Sequence, residues 1–225
     1  MDTLSCFTAY DIRGDVGVTL DEAIARRIGR AYSAWLRPAR VVIGGDNRLS
    51  TAGLKQALAD GLQAGGAEVI DIGMVGTEEV YFATRALHAC GGIQVTASHN
   101  PAHYNGMKLV REGAKPISGD SGLPAIRALA EANVFPVSPT GRYRQLDHRT
   151  PYIDHLLSYL HGQPLRPLRV VVNAGNGAAG PILDALEQRL RLMGSEMTWL
   201  TLHHAPDGHF PHGVPNPMLP ENRAA

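Results

Sequence analysis

Only two cysteines, Cys6 and Cys90, occur in 225 residues. That is too few for a disulfide framework and excludes the stapled scaffolds of small secreted domains. No charge of one sign is in excess, since 21 basic residues stand against 21 acidic ones. The chain therefore carries no electrostatic footprint for nucleic acid or an anionic membrane. No apolar run approaches the roughly 20 residues that cross a bilayer, and no signal-like segment is found. These absences lead us to expect a cytoplasmic protein of the reducing cytosol, with no nucleic-acid and no membrane partner. What remains is 44% hydrophobic, enough for one sizeable core or two small ones. The pattern favours two.

The chain turns on residues 91–111, GGIQVTASHNPAHYNGMKLVR. Ile93, Val95 and Ala97 alternate with Gln94, Thr96 and Ser98, the period of a half-buried strand. Met107 and Leu109 then alternate with Lys108 and Val110, and Asn105-Gly106 ahead of them reads as a chain reversal, because both residues tolerate positive φ. Pairing of the two runs brings Lys108 back towards Ser98, beside His99 and Asn100, with Pro101 stiffening the turn. On the residues alone this is an ordinary turn whose side chains bond nearby amides, or a serine suited to a phosphoryl group. The second reading has a physical basis, since an ammonium, an imidazole and an amide neutralise and hydrogen-bond the added charge of about −2.

Around this stretch, strands and helices alternate. Residues 9–14 read as a loop in which Arg13 is, on its own, a surface charge. Thr19 and Glu22 read as a capping box for a helix with Ile24, Ile28, Ala31 and Trp35 at helical spacing. Residues 40–43 form a short buried strand. Gly44-Gly45-Asp46-Asn47-Arg48 form a loop in which Arg48 is structural or supports a site from behind, and a helix with Leu54, Leu58 and Leu62 ends at Gly65-Gly66. A strand at 68–72, a helix opened by Gly76-Thr77-Glu78-Glu79, the serine hairpin and a helix from Asp120 or Ser121 complete an α/β domain. Its sheet is mixed, mostly parallel and flanked by helices. The expected layout is domain I at 1–135, a linker and bridging helix at 136–165, and the first part of a second α/β domain of the same type at 166–225. That second part has a buried strand at 168–172, a helix at 179–192 and a strand at 196–202. Being incomplete, it has an unpaired edge and uncovered apolar surface that favour self-association.

Two features of the second part suggest other functions. Gly175-Asn176-Gly177-Ala178-Ala179-Gly180 matches G-x-G-x-x-G between a strand and a helix, the mark of a dinucleotide-binding module. The acidic residue expected at the end of the next strand is missing, because that strand ends in Thr201-Leu202-His203-His204. His203, His204, His209 and His212 with Asp207 suggest a metal module, but their spacing fits no closed zinc site, and a solvated loop is the plainer reading.

TASHNP followed by YNGMK resembles the catalytic serine loop of the α-D-phosphohexomutases, the phosphomannomutase and phosphoglucomutase family. AYDIRG at 9–14, VVIGGDNRLS at 41–50, NAGNGAAG at 173–180 and PDGHFPHGVPNP at 206–217 are similar to family segments in the same order. DIGMVGTEEVYFAT and GMKLVREGAKPISGD are most similar to the bacterial phosphomannomutases that feed GDP-mannose synthesis. The resemblance implies reversible interconversion of mannose 6-phosphate and mannose 1-phosphate through a phosphoserine and a hexose 1,6-bisphosphate. Glucose phosphate remains the alternative hexose phosphate substrate. It implies that Ser98 carries the phosphate and that Arg13 and Lys108 steady it. Either Lys108 or His99 handles the hydroxyl proton, and Tyr10, Asn100 and Lys108 meet the substrate. It also implies magnesium on an oxygen of phospho-Ser98, held otherwise by three aspartates of a DGDGDR-like loop. These residues contain no such loop, and the chain runs out at Pro220-Glu221-Asn222-Arg223-Ala224-Ala225. The expectation is an amino-terminal portion, inactive as a mutase by itself.

Overall fold

Val41, Val42 and Ile43 are all fully buried. Alternation along the extended backbone sends Val41 and Ile43 into one apolar cluster and Val42 into another. A strand covered on both faces is the mark of an α/β sheet. The computed structural model describes residues 3–163 and 165–220, so Pro164 in the expected linker and the terminal residues 221–225 lie outside the described residues. The chain divides into two units, Met1–Leu146 and Asp147–Ala225.

In the first unit the elements follow as β1 (Ile12–Asp15), α1 (Glu22–Leu36), β2 (Arg40–Gly45), α2 (Thr51–Ala64), β3 (Glu68–Met74) and α3 (Thr77–Ala86). Then come β4 (Gly91–Val95), β5 (Tyr104–Arg111), β6 (Lys115–Pro116), α4 (Leu123–Ala132) and β7 (Tyr143–Gln145). They build one mixed sheet of order β1-β5-β4-β2-β3-β7, with β6 on β5. Neighbours among β4, β2, β3 and β7 run parallel, whereas β5 is antiparallel to β1, β4 and β6. The larger cluster takes Ile28 and Tyr32 from α1, Leu54, Leu58 and Leu62 from α2, and Ile126 from α4. The smaller one packs Val80 and Ala83 of α3 against Val42 and Ile70. Each fully buried aliphatic side chain of this kind contributes about 1.5–3 kcal/mol. Cys6 lies in the larger cluster. Its burial pushes the thiol up to about 11, so it behaves as a small apolar residue.

Several expectations are corrected here. The stretch expected as a loop around Arg13 is strand β1, whose short polar sequence hid its pairing with β5. Helix α1 is capped by Asp21, whose carboxylate accepts from the Ile24 amide. Thr19 Oγ1 instead accepts from the Asp15 amide, so the Thr19/Glu22 box does not form. Asn105-Gly106 is no reversal but part of β5. Asn105 is fully buried and donates to Ser50 Oγ and Thr51 Oγ1 at 2.9 Å each. Gly106 sits where a Cβ would lie 2.0 Å from the Ile12 carbonyl oxygen, so its small size serves a close approach of strands. Gly106→Ala is expected to pry β1 from β5 and lower stability by roughly 3 kcal/mol. A urea transition followed by circular dichroism checks this, and an unchanged midpoint would show that β1 yields freely. Within the expected linker, residues 143–145 are instead edge strand β7, parallel to β3 and fastened by the Tyr143 hydroxyl donating to Asp71 Oδ2 at 2.7 Å.

The second unit contains α5 (Arg149–Ser158), β8 (Arg169–Asn173), α6 (Gly180–Leu192) and β9 (Thr198–Leu202). β8 and β9 pair in parallel across the α6 crossover. The strand expected to be buried at 168–172 is not, for Leu168 is 47% exposed and Val171 62%. A sheet of two strands, the only ones among the unit's described residues, cannot cover both its faces. The chain has no described helix long and apolar enough to cross a membrane.

Candidate active site

The loop between β4 and β5 leaves the carboxyl end of β4, the end where open α/β sheets carry their ligands. At its tip Ser98 is exposed and its φ is 57°, a left-handed conformation that costs a non-glycine residue about 1 kcal/mol or more. Such a conformation persists only when the surroundings impose it. Three sets of bonds do so. The Ser98 amide donates to Thr96 Oγ1 at 2.9 Å. Thr96 Oγ1 in turn donates to Asp46 Oδ2 at 2.8 Å. The Asn100 amide closes a turn on the Ala97 carbonyl at 3.1 Å.

Arg48 makes the second set. It is 3% exposed, and its guanidinium donates to four carbonyls of the loop: Ser98 at 3.0 Å, Asn100 at 2.7 Å, Pro101 at 2.7 Å and Tyr104 at 2.9 Å. Its Nε lies 3.2 Å from Asp46 Oδ2. Asp46 Oδ1 also accepts from the Arg48 amide at 3.0 Å and from Thr51 Oγ1 at 2.6 Å. Burial draws the Arg48 pKa down while Asp46 opposes it, and a guanidinium in a protein keeps its charge. The β2 to α2 loop is thus the mould in which the serine loop is cast. Arg48 thus has the supporting role expected of it, but the loop carbonyls it holds sit 50 or more residues away in sequence, and no local signal announces which they are.

Arg13 makes the third set. Its Nη1 donates to the Ala97 carbonyl at 2.7 Å and to Asn100 Oδ1 at 3.1 Å. Its Nε and Nη2 donate to Asp11 Oδ2 at 3.0 and 2.8 Å. Lys108 Nζ donates to the same carboxyl oxygen at 3.2 Å. Thr8 Oγ1 donates to Asp11 Oδ1 at 3.0 Å. Burial alone would raise the Asp11 pKa, but Arg13 and Lys108 beside it hold the carboxyl below its ordinary value. Asp11 is a residue that the sequence reading does not single out, because its partner Lys108 lies 97 positions away.

Of the residues expected from sequence, Arg13 and Asn100 therefore meet at the serine loop. His99 stands next to Ser98, its Nδ1 3.4 Å from Oγ, at the outer limit of a hydrogen bond. Lys108 pairs across the sheet with Gln94, four positions before Ser98, and joins the site through Asp11. Tyr10 is 80% exposed on the loop that precedes β1. The arrangement offers an exposed hydroxyl on an imposed backbone, with two cations gathered by one carboxylate. Chemically it can carry an anionic ester. It offers no cage for the magnesium that the resemblance implies, since no three His, Cys, Asp or Glu residues converge among the described residues. The carboxylates that serve the loop, Asp11 and Asp46, are spent on cations and hydroxyls.

In the second unit the glycine loop has its own explanation. A Cβ on Gly180 would lie 2.1 Å from the His204 carbonyl, and Asn176 Nδ2 donates to the Ala205 carbonyl at 2.9 Å. The small residues thus let the segment after β9 approach the start of α6, and no acidic residue stands at the end of β9. The histidines go separate ways: His204 to Asp184 at 2.7 Å, His209 to Asp207 at 3.0 Å, and His203 against the His212 ring.

Comparison with known proteins adds to this geometry. Residues 5–136 match the phosphoglucomutase/phosphomannomutase α/β/α domain I, and residues 150–225 match domain II of the same description. A phosphomannomutase of Escherichia coli K12 is 58% identical over 226 residues, spanning 99% of this chain and 50% of the relative. A phosphomannomutase of Vibrio cholerae is 54% identical, over 100% of this chain and 50% of the relative. The crystal structure of a phosphoglucomutase/phosphomannomutase family protein from Burkholderia thailandensis superposes with a TM-score of 0.86 at 38% identity. It covers 100% of this chain and 49% of that one. The chain spans about half the length of the curated relatives it matches.

Proposed function

This chain belongs to the phosphoglucomutase/phosphomannomutase family, and from that premise we propose that Ser98 is the phosphoryl-carrying nucleophile of a phosphohexomutase. The observation that carries the proposal is the exposed Ser98 hydroxyl on a left-handed residue, whose loop is held by Arg48 and Arg13 together. A loosely tethered serine would have no need of such a mould. In the whole protein the reaction is the interconversion of mannose 6-phosphate and mannose 1-phosphate, in line with the names of the relatives. Phospho-Ser98 gives its phosphoryl group to the free hydroxyl of the hexose phosphate. After the bisphosphate turns round, Ser98 takes the other phosphoryl group back.

Phosphoryl transfer depends on position and charge stabilisation more than on a strong base. Asn100 and the loop amides fix where the seryl oxygen stands, Lys108 and Arg13 supply the positive charge, and His99 is the nearest group to exchange the hydroxyl proton. Tyr10 offers an exposed ring for the sugar on the loop that precedes β1. Magnesium, when bound, would balance charge on the migrating group. Among the described residues, which bring no three carboxylates or imidazoles together, a phosphoryl oxygen on Ser98 is the part that would hold it. A hexose 1-phosphate is the class of compound that nucleotidyltransferases convert to sugar nucleotides such as GDP-mannose, and we place the reaction in the cytoplasm. Turnover belongs to the whole protein. The 225-residue chain is expected to perform only the half-reaction at Ser98, and a coupled assay in which it alone interconverts the two mannose phosphates would overturn that.

The test of the central claim is the intact mass of the chain after incubation with glucose 1,6-bisphosphate, before and after phosphatase, with peptide mapping. One removable phosphoryl group on Ser98 is the expected result. Phosphate on another residue, or none, would reject Ser98 as the carrier.

A further inference from the structure

Asp11 is 8% exposed, and it lies between the two cations that the serine loop has to offer. Its Oδ2 accepts from Arg13 Nε, Arg13 Nη2 and Lys108 Nζ. Four of the five guanidinium N–H donors of Arg13 are thereby occupied, two by Asp11 and two by Ala97 O and Asn100 Oδ1. Lys108 keeps all but one of its ammonium donors. Arg13 is therefore mainly a brace, and Lys108 is the cation with donors to spare for an arriving ligand. The three charges sum to one positive charge, where the cations alone would present two. A seryl phosphate of charge about −2 beside two uncompensated cations is a tight pair. A carrier that must give its phosphoryl group up again cannot hold it so firmly.

We propose that Asp11 is the positioning residue of this site, a resident carboxylate that gathers Arg13 and Lys108 and offsets enough of their charge to keep the phosphate on Ser98 transferable. The proposal rests on the reading of Ser98 as the phosphoryl carrier. In loading, Ser98 Oγ forms a bond to phosphorus of a hexose bisphosphate as the bond from that phosphorus to the sugar oxygen breaks. The sugar oxygen keeps the electron pair and takes up a proton, and the seryl hydroxyl gives one up. Unloading is the same exchange run backwards. Asp11 neither donates nor receives the group; its charge sets how the two directions compare.

The experiment uses the whole 225-residue chain with glucose 1,6-bisphosphate as donor. The phospho-Ser98 fraction is read by intact mass against donor concentration, and the rate of passage to glucose 1-phosphate is read by quench. For Asp11→Asn, which keeps the shape and removes the charge, the half-maximal donor concentration is expected to fall about tenfold and the passage rate to fall about tenfold. Asp11→Glu, which keeps the charge, is expected to stay within about threefold of wild type on both. A carboxylate with only a structural role would lose loading and passage together, and that pattern overturns the proposal. So does Asp11→Asn with unchanged loading, or Asp11→Glu behaving like Asp11→Asn. Asp11→Ser serves as a second uncharged variant should the first not fold. A wild-type chain that takes up no phosphate at Ser98 is a different outcome, seen before any variant is made, and it overturns the carrier reading together with the proposal built on it.

Discussion

Ser98→Ala is expected to abolish phosphate uptake from glucose 1,6-bisphosphate while leaving the fold in place. The reasoning separates chemistry from stability. The hydroxyl is exposed, so its removal leaves no buried polar partner stranded, and the change in stability stays within about 1 kcal/mol. The left-handed backbone at this residue adds a finer test. Ser98→Gly is equally unable to accept phosphate, yet it relieves the strain, and it is expected to unfold at the same denaturant concentration as wild type or higher. Intact mass and urea transitions on the two variants make the comparison. Residual phosphate in Ser98→Ala would mean that another residue carries it, and a less stable glycine variant would mean that the seryl conformation is not strained.

Arg48→Met is expected to damage stability and chemistry together, more than any other single change at the site. The substitution withdraws the donor from four loop carbonyls and the counter-charge from Asp46. Hydrogen bonds from a charged donor contribute about 1.5–3 kcal/mol each, but in one network they do not add. Asp46 is only partly buried and keeps the Thr51 and Thr96 hydroxyls, so losing its counter-charge adds to the lost loop bonds without the full penalty of a buried ion, and a total loss of about 3 kcal/mol is the expected result. A serine displaced by even about 1 Å reacts roughly a hundredfold more slowly, so phosphorylation is expected to fall by at least that factor. Arg48→Lys restores the charge near Asp46 but cannot reach four carbonyls at once. It is expected to recover part of the stability and little of the rate. A methionine variant that loads phosphate at the wild-type rate would show that the serine loop holds its own shape.

Much of the architecture could be read from local pattern, and the failures have a common cause. Helix α2 announced itself through Leu54, Leu58 and Leu62, α3 through its acidic first turn, and the antiparallel pairing of β4 with β5 through alternation on both sides of the serine. These are signals carried within a dozen residues. Asn105-Gly106 misled because its local preference for a turn was overruled by distant partners, Ser50 and Thr51 for the asparagine and Ile12 for the glycine. Strand β1 was hidden because its four residues, IRGD, alternate without an apolar face of any length. At the candidate site, the serine loop with Ser98 and Asn100 stood out from its own residues, whereas Arg13, a surface charge by itself, entered only through the family resemblance. Asp11, Asp46 and the carbonyls that Arg48 holds did not stand out, because what each of them does is defined only once residues 50 to 100 positions apart have met.

The left-handed twist at residue 98 also limits which alcohol could stand there as the proposed carrier. Threonine bears the same reactive group, but its branched β-carbon is ill suited to that region of backbone space. Asparagine and glycine would sit there at ease and bring no nucleophile. The choice of side chain is thus settled by chirality before reactivity enters, and serine is what satisfies both.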